Sequence, residues 1–204
     1  MIGIFIGAPL VGILTALASV VFEQFLALIV NIVSQKEIVL DVYTHLNFFL
    51  VASAFIEESF KYLLAIFVFR KYLNLNRFKF IAASAFAGLF FGGTEIYFVL
   101  LANEKKIWDI YSLDSDTLFS LSAIVCLHVL TYLLISVFIA SQKKNKGFQF
   151  KFIRTLIFPV FIHLLFNFLV IYKGNFTTWL VEIVLGIALV INLAVIIFNF
   201  RELD

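Results

Sequence analysis

The chain has 204 residues, of which 63% are apolar and only 14% charged, whereas soluble domains carry roughly 25% charged residues to cover their surface. A soluble globular domain is therefore excluded and a bilayer protein expected. A net charge of +2 is too small to point to a nucleic-acid partner, and the lone cysteine, Cys126, excludes an intrachain disulfide and any multi-cysteine metal site.

Apolar runs of about 20 residues match a hydrocarbon layer about 30 Å thick, and six such spans are predicted along the chain. The first covers residues 2–22 and can continue amphipathically past Glu23 and Gln24 to Val33. It has no basic flank, so an uncleaved first helix is expected rather than a signal peptide. Glu23 itself reads as solvated or helix-paired at a span edge. The second span is 46–69, the third 80–101, the fourth 117–140, the fifth 153–172 and the sixth 177–199. Short polar linkers join them, and His45 falls at a span boundary. With no internal repeat and no soluble-length segment, the expectation is an all-α polytopic transmembrane helical bundle, with residues 1–204 forming a single integral membrane domain.

Lysine and arginine in short loops set orientation. Arg70, Lys71, Arg77, Lys79, Lys143, Lys144, Lys146, Lys151, Arg154 and Arg201 fall on one side, and Lys36, Lys105, Lys106 and Lys173 on the other. That bias predicts a multi-pass protein of the cell membrane with both termini cytoplasmic.

Against this apolar background, the ionisable groups inside the spans carry the chemistry. Glu57, Glu58 and Lys61 lie mid-way along the second span, Glu95 in the third, His128 in the fourth, and His163 with Asn167 in the fifth. A charged side chain at mid-bilayer costs about 2.5–3.5 kcal/mol even on lenient scales, so three carboxylates and a lysine cost on the order of 10 kcal/mol unless they face one another or water. Helical geometry favours such a meeting. With Glu57 set at 0°, Glu58 lies at about 100° and Lys61 at about 40°, between them. Ala54 and Ala65 share that face. Ser84, Gly88 and Gly92 recur every four residues as a small-residue seam for close helix approach, with Phe91 and Glu95 on or beside it. His163 and Asn167 share a face one turn after Pro159, which can kink or loosen the fifth helix. Counted from the outer ends of the spans, Glu57 and His128 lie about 16 Å deep, His163 about 14 Å, Glu95 about 9 Å and Asn167 about 8 Å.

The spacings Glu57-Glu58-x-x-Lys61, Phe91-x-x-x-Glu95 and His163-x-x-x-Asn167, in this order on successive hydrophobic helices, resemble the motifs of the PrsW proteases. They are also similar to the wider superfamily of CAAX-type and bacteriocin-processing intramembrane proteases. The resemblance covers roughly residues 46–172. Lys61 and Glu95 stand where prenyl-protein members usually have Arg and His, which favours the PrsW-like branch, and Asn167 stands where some of that branch have an acid. The resemblance implies a glutamate-dependent membrane endopeptidase in which glutamates and a histidine activate water, without an established zinc requirement or other cofactor. Its substrate would be a membrane-associated protein or peptide.

The residues themselves allow this chemistry. Low dielectric disfavours a charged carboxylate and a neighbouring lysine favours it, so either Glu57 or Glu58 can serve as a general base. Glu58 is the first choice, with Glu57 and Lys61 setting its state. Glu95 and His128 would position water or shuttle protons, and His163 and Asn167 would donate to the oxyanion. The same groups could instead serve a proton- or ion-coupled transporter, or merely hold together a noncatalytic membrane partner protein. A zinc variant using His128, His163 and a glutamate lacks an HExxH motif. Cys126, with no basic activator beside it, reads as a packing residue.

Overall fold

A computed structural model of the chain describes residues 2–34, 48–73, 77–102, 115–141, 148–171 and 175–201, and every one of these segments is helical. The helices are α1 (Ile2–Ser34), α2 (Phe48–Leu73), α3 (Arg77–Ala102), α4 (Ser115–Ser141), α5 (Phe148–Ile171) and α6 (Asn175–Arg201). His45 and most of the polar linkers lie outside the described residues. The helices outlast the predicted spans: α1 runs unbroken through Glu23 to Ser34, and α2 and α3 extend into the basic 70–79 segment. Hydropathy ends where the hydrocarbon would end, but a helix satisfies its own backbone and continues into polar sequence.

Among the described residues, five helices are long and apolar enough to cross a membrane, making this a multi-pass membrane protein by length and composition. The exception, α2, is 26 residues long and carries Glu57, Glu58 and Lys61 at its centre. These three charges are buried, whereas Val51, Phe55 and Phe67 on its outer side are exposed. The remaining helices repeat this inside-out arrangement, with Ile6, Val21, Ile153, Phe161, Val190 and Phe198 outward and polar groups inward. An apolar exterior around a polar centre suits a hydrocarbon solvent.

The axis of the bundle is α4, whose apolar stretch is 61% buried against 22% for α1 and α6. It packs against α2, α3, α5 and α6, while α1 rests on α2 and α3. Between α1, α3 and α4 the core is built of small side chains, including Ala8, Ala16, Ala83 and Ala87, with Phe80, Phe91 and Tyr132 filling the wider gaps. Leucine, isoleucine, valine and phenylalanine dominate between α4, α5 and α6.

The small-residue seam accounts for the closeness of α3 and α4. A Cβ on Gly88 would lie 2.7 Å from the His128 carbonyl oxygen and 2.8 Å from the Val129 Cα, and one on Gly92 would lie 2.7 Å from the Val125 Cα. On α1, Gly12 meets the backbone of Ala87 and Phe91 in the same way. Without a hydrophobic drive between helices in lipid, such backbone approach supplies the packing. Gly88 also sets the height of His128 against α3.

Gly88→Ala and Gly92→Ala should each lower stability by about 1–3 kcal/mol through overpacking against backbone, as read by thermal unfolding in detergent. Gly93→Ala meets nothing within 4 Å and should be neutral or stabilising by up to about 1 kcal/mol.

Candidate functional site

Lys61 projects from the middle of α2 into the centre of the bundle and is fully buried. Its ammonium has three protons, and three acceptors receive them: Glu58 Oε1 at 2.6 Å, His128 Nδ1 at 2.8 Å and Thr131 Oγ1 at 3.0 Å. The Phe91 ring of α3 lies below, its centroid 4.6 Å from Nζ. A lysine ammonium is only a donor, so His128 Nδ1 must be the acceptor. The remaining proton of the neutral ring is then on Nε2, and that nitrogen faces Glu95 Oε2. One lysine thus fixes the tautomer of a histidine on another helix.

Glu58 Oε1 also receives His163 Nδ1 of α5 at 2.7 Å. The ring of His163 stands edge-on to that of His128, with centroids 5.3 Å apart. With Nδ1 held by Glu58, His163 Nε2 points toward Glu57 Oε2, 3.9 Å away. Glu57 Oε2 is 4.0 Å from His128 Nδ1, is buried and, like Glu58 Oε2, has no hydrogen-bond partner among the described residues. The structure therefore brings Glu57, Glu58, Lys61, Glu95, His128 and His163 together from four helices. Asn167, half-buried one turn beyond His163, makes no hydrogen bond to these side chains.

The two adjacent glutamates differ in their surroundings. Sequence reading ranks Glu58 first as the base, but its Oε1 is engaged by both Lys61 and His163 and the residue is wholly buried. Glu57 keeps one oxygen between two imidazoles, while its other oxygen lies 3.2 Å from Ser53 Oγ. Along the helix both residues are equally able to reach Lys61, so only the neighbouring helices separate their roles.

Other participants have weaker signatures in the sequence. Glu23 does not sit at a solvated span edge: it lies within the apolar stretch Ile6–Val30 and its Oε1 accepts from Ser53 at 3.0 Å. Ser53 was detectable only as the residue one turn before Glu57. Tyr132 donates to Thr15 Oγ1 at 2.8 Å, binding α4 to α1 beside Lys61. Asn192 of α6 donates to the Leu130 carbonyl of α4 at 3.2 Å. Cys126, expected to be a packing residue, is instead exposed on α4, whose close contacts with α3 run through Val125, His128 and Val129.

Glu57, His128 and His163 offer one possible metal ligand each within 4.8 Å of one another. Tetrahedral zinc with bonds of about 2.1 Å needs donors about 3.4 Å apart, closer than the 3.9 and 4.0 Å separations around Glu57 Oε2. Both His128 nitrogens are also engaged, one by Lys61 and the other by Glu95. This donor set fits a metal poorly unless Lys61 releases His128.

Replacing Lys61 with Met should cost about 3–5 kcal/mol, because it strands buried partners. In a double-mutant cycle, Glu58→Gln with Lys61→Met should lose less than the sum of the single changes, as measured by denaturant unfolding in micelles. No protein-family model matches this chain, and no curated protein and no solved structure matches it.

Proposed function

We propose that this protein is an intramembrane endopeptidase, PrsW-like in its motifs, which hydrolyses a peptide bond of a membrane-associated protein with a glutamate-activated water. The observation that carries this reading is Glu57 Oε2, a buried oxygen without a partner among the described residues, standing 3.9 Å from His163 Nε2. Two polar atoms at that separation suit one water within hydrogen-bond reach of both, about 2.6–3.2 Å from each.

In this scheme Glu57 takes a proton from the water, whose oxygen attacks the scissile carbonyl carbon. Glu58 holds Nδ1 of His163, so that Nε2 addresses the reacting atoms, and His163 as the imidazolium, which has a proton on each nitrogen, donates with Asn167 to the oxyanion that develops. The proton on Glu57 passes to the leaving amine. Lys61 and His128 are positioning residues for Glu58 and Glu95. The side chain of Glu95 is 29% exposed, against none for Glu58, which makes it the side from which an extended substrate would enter. The loop-charge bias supports a cell-membrane location with both termini cytoplasmic, and the site depth supports cleavage in the outer half of the bilayer.

Purified protein in lipid nanodiscs, incubated with single-pass membrane peptides and read by mass spectrometry, tests the proposal. Glu57→Gln should lower kcat/KM by about 10²–10⁴-fold while leaving the melting temperature equal or higher, because the amide keeps a partner for Ser53 and removes a buried ionisable group. Glu58→Gln and His163→Ala should lose both activity and stability, and a chelator should leave cleavage intact. Undiminished cleavage by all three variants would sink the proposal. Proton or ion flux in proteoliposomes, without cleavage, would assign the same groups to transport.

A further inference from the structure

Ser53 of α2 lies between two carboxyl groups. Its Oγ is 3.0 Å from Glu23 Oε1 of α1 and 3.2 Å from Glu57 Oε1, one turn along its own helix. A serine hydroxyl owns one proton and can donate it to one side; on the other side it can only accept. Both contacts are hydrogen bonds when one carboxyl is the acid and the other the carboxylate.

The surrounding charges favour the same proton. The groups facing this centre are Glu23 of α1, Glu57, Glu58 and Lys61 of α2, Glu95 of α3, His128 of α4 and His163 of α5; on α6, Glu182 is exposed. His128 accepts from Lys61 and is neutral, so among the described residues Lys61 and His163 are the possible cations at this centre against four carboxyl groups. A proton shared by neighbouring carboxyls relieves that excess. Glu57 is only 8% exposed with its second oxygen unpartnered, whereas Glu23 is half-buried. The chain of three groups thus leads from the centre toward the rim.

We propose that Glu23 and Glu57 hold one proton between them through the Ser53 hydroxyl, so that α1 contributes a proton-relay residue to the hydrolytic centre. This rests on the peptidase reading for its purpose, but not for its existence. In the transfer, the Glu57 O–H breaks as its proton joins Ser53 Oγ, while the former Ser53 proton joins the Glu23 carboxylate. Glu57 is left as a carboxylate, Glu23 as an acid and Ser53 unchanged. With the shared proton on Glu23, Glu57 is the carboxylate that can take a proton from water.

Infrared spectroscopy of the full chain in nanodiscs at neutral pH reads the carbonyl band of a protonated carboxyl, which shifts in heavy water. The wild type should show such a band, and Glu23→Gln and Glu57→Gln should each displace or diminish it. Ser53→Ala should displace it and Ser53→Thr, which keeps the hydroxyl, should restore it. On a cleaved peptide, Glu23→Gln and Ser53→Ala should shift the pH profile of kcat with KM unchanged, and Ser53→Thr should return the wild-type profile. Absence of the band, or a band indifferent to Glu23 or to Ser53, overturns the shared proton. If the band behaves as expected while no peptide is cut, the shared proton stands and the peptidase reading falls. If cleavage proceeds with a pH profile that Glu23→Gln leaves unmoved, the relay role falls and the peptidase stands.

Discussion

Everything at the centre of this bundle is arranged around one buried ammonium. Lys61 has three N–H groups and gives them to a carboxylate, an imidazole and a hydroxyl. These partners lie on α2 and α4, and through Glu58 the linkage reaches His163 on α5. In hydrocarbon each of these bonds replaces no water, so a missing partner leaves a charge nearly bare. The requirement that all three protons be accepted fixes which helix faces meet, and it fixes the proton on His128 as well.

Stability alone does not explain such a cluster. Buried ion networks often contribute less than well-packed apolar side chains of the same volume, and between membrane helices the close approach of small residues already supplies attraction. Gly12, Gly88 and Gly92 supply it here, on the helices that flank the cluster. Among the described residues the centre also keeps one oxygen each of Glu57 and Glu58 without a hydrogen-bond partner. Ionisable groups kept in a membrane at such cost mark function by default.

Much of this was legible in the chain because helices obey a fixed period. The spacing of Glu57, Glu58 and Lys61 places the lysine between the carboxylates, and the four-residue recurrence of Ser84, Gly88 and Gly92 marks the face that α4 approaches. Helix ends were less legible, since hydropathy stops at the hydrocarbon edge and hydrogen bonding does not. The division of labour between Glu57 and Glu58 was illegible for a deeper reason: it depends on His163 and Ser53 reaching them from different sides. Glu23 was misplaced for the same reason, because a lone carboxylate in α1 acquires meaning only when Ser53 of α2 is seen beside it.

The pairing of adjacent glutamates follows from this geometry. About 100° apart on one helix, they cannot share the same neighbours. Glu58, turned into the bundle, spends its charge on Lys61 and orients His163. Glu57, turned between the imidazoles and α1, keeps an oxygen directed at the same histidine from the opposite nitrogen. A single carboxylate could not both hold Nδ1 of His163 and stand 3.9 Å from its Nε2, because the two nitrogens face away from each other across the ring. Addressing both nitrogens of one imidazole therefore takes two carboxylates, and consecutive positions on one helix supply them, with Lys61 holding the first.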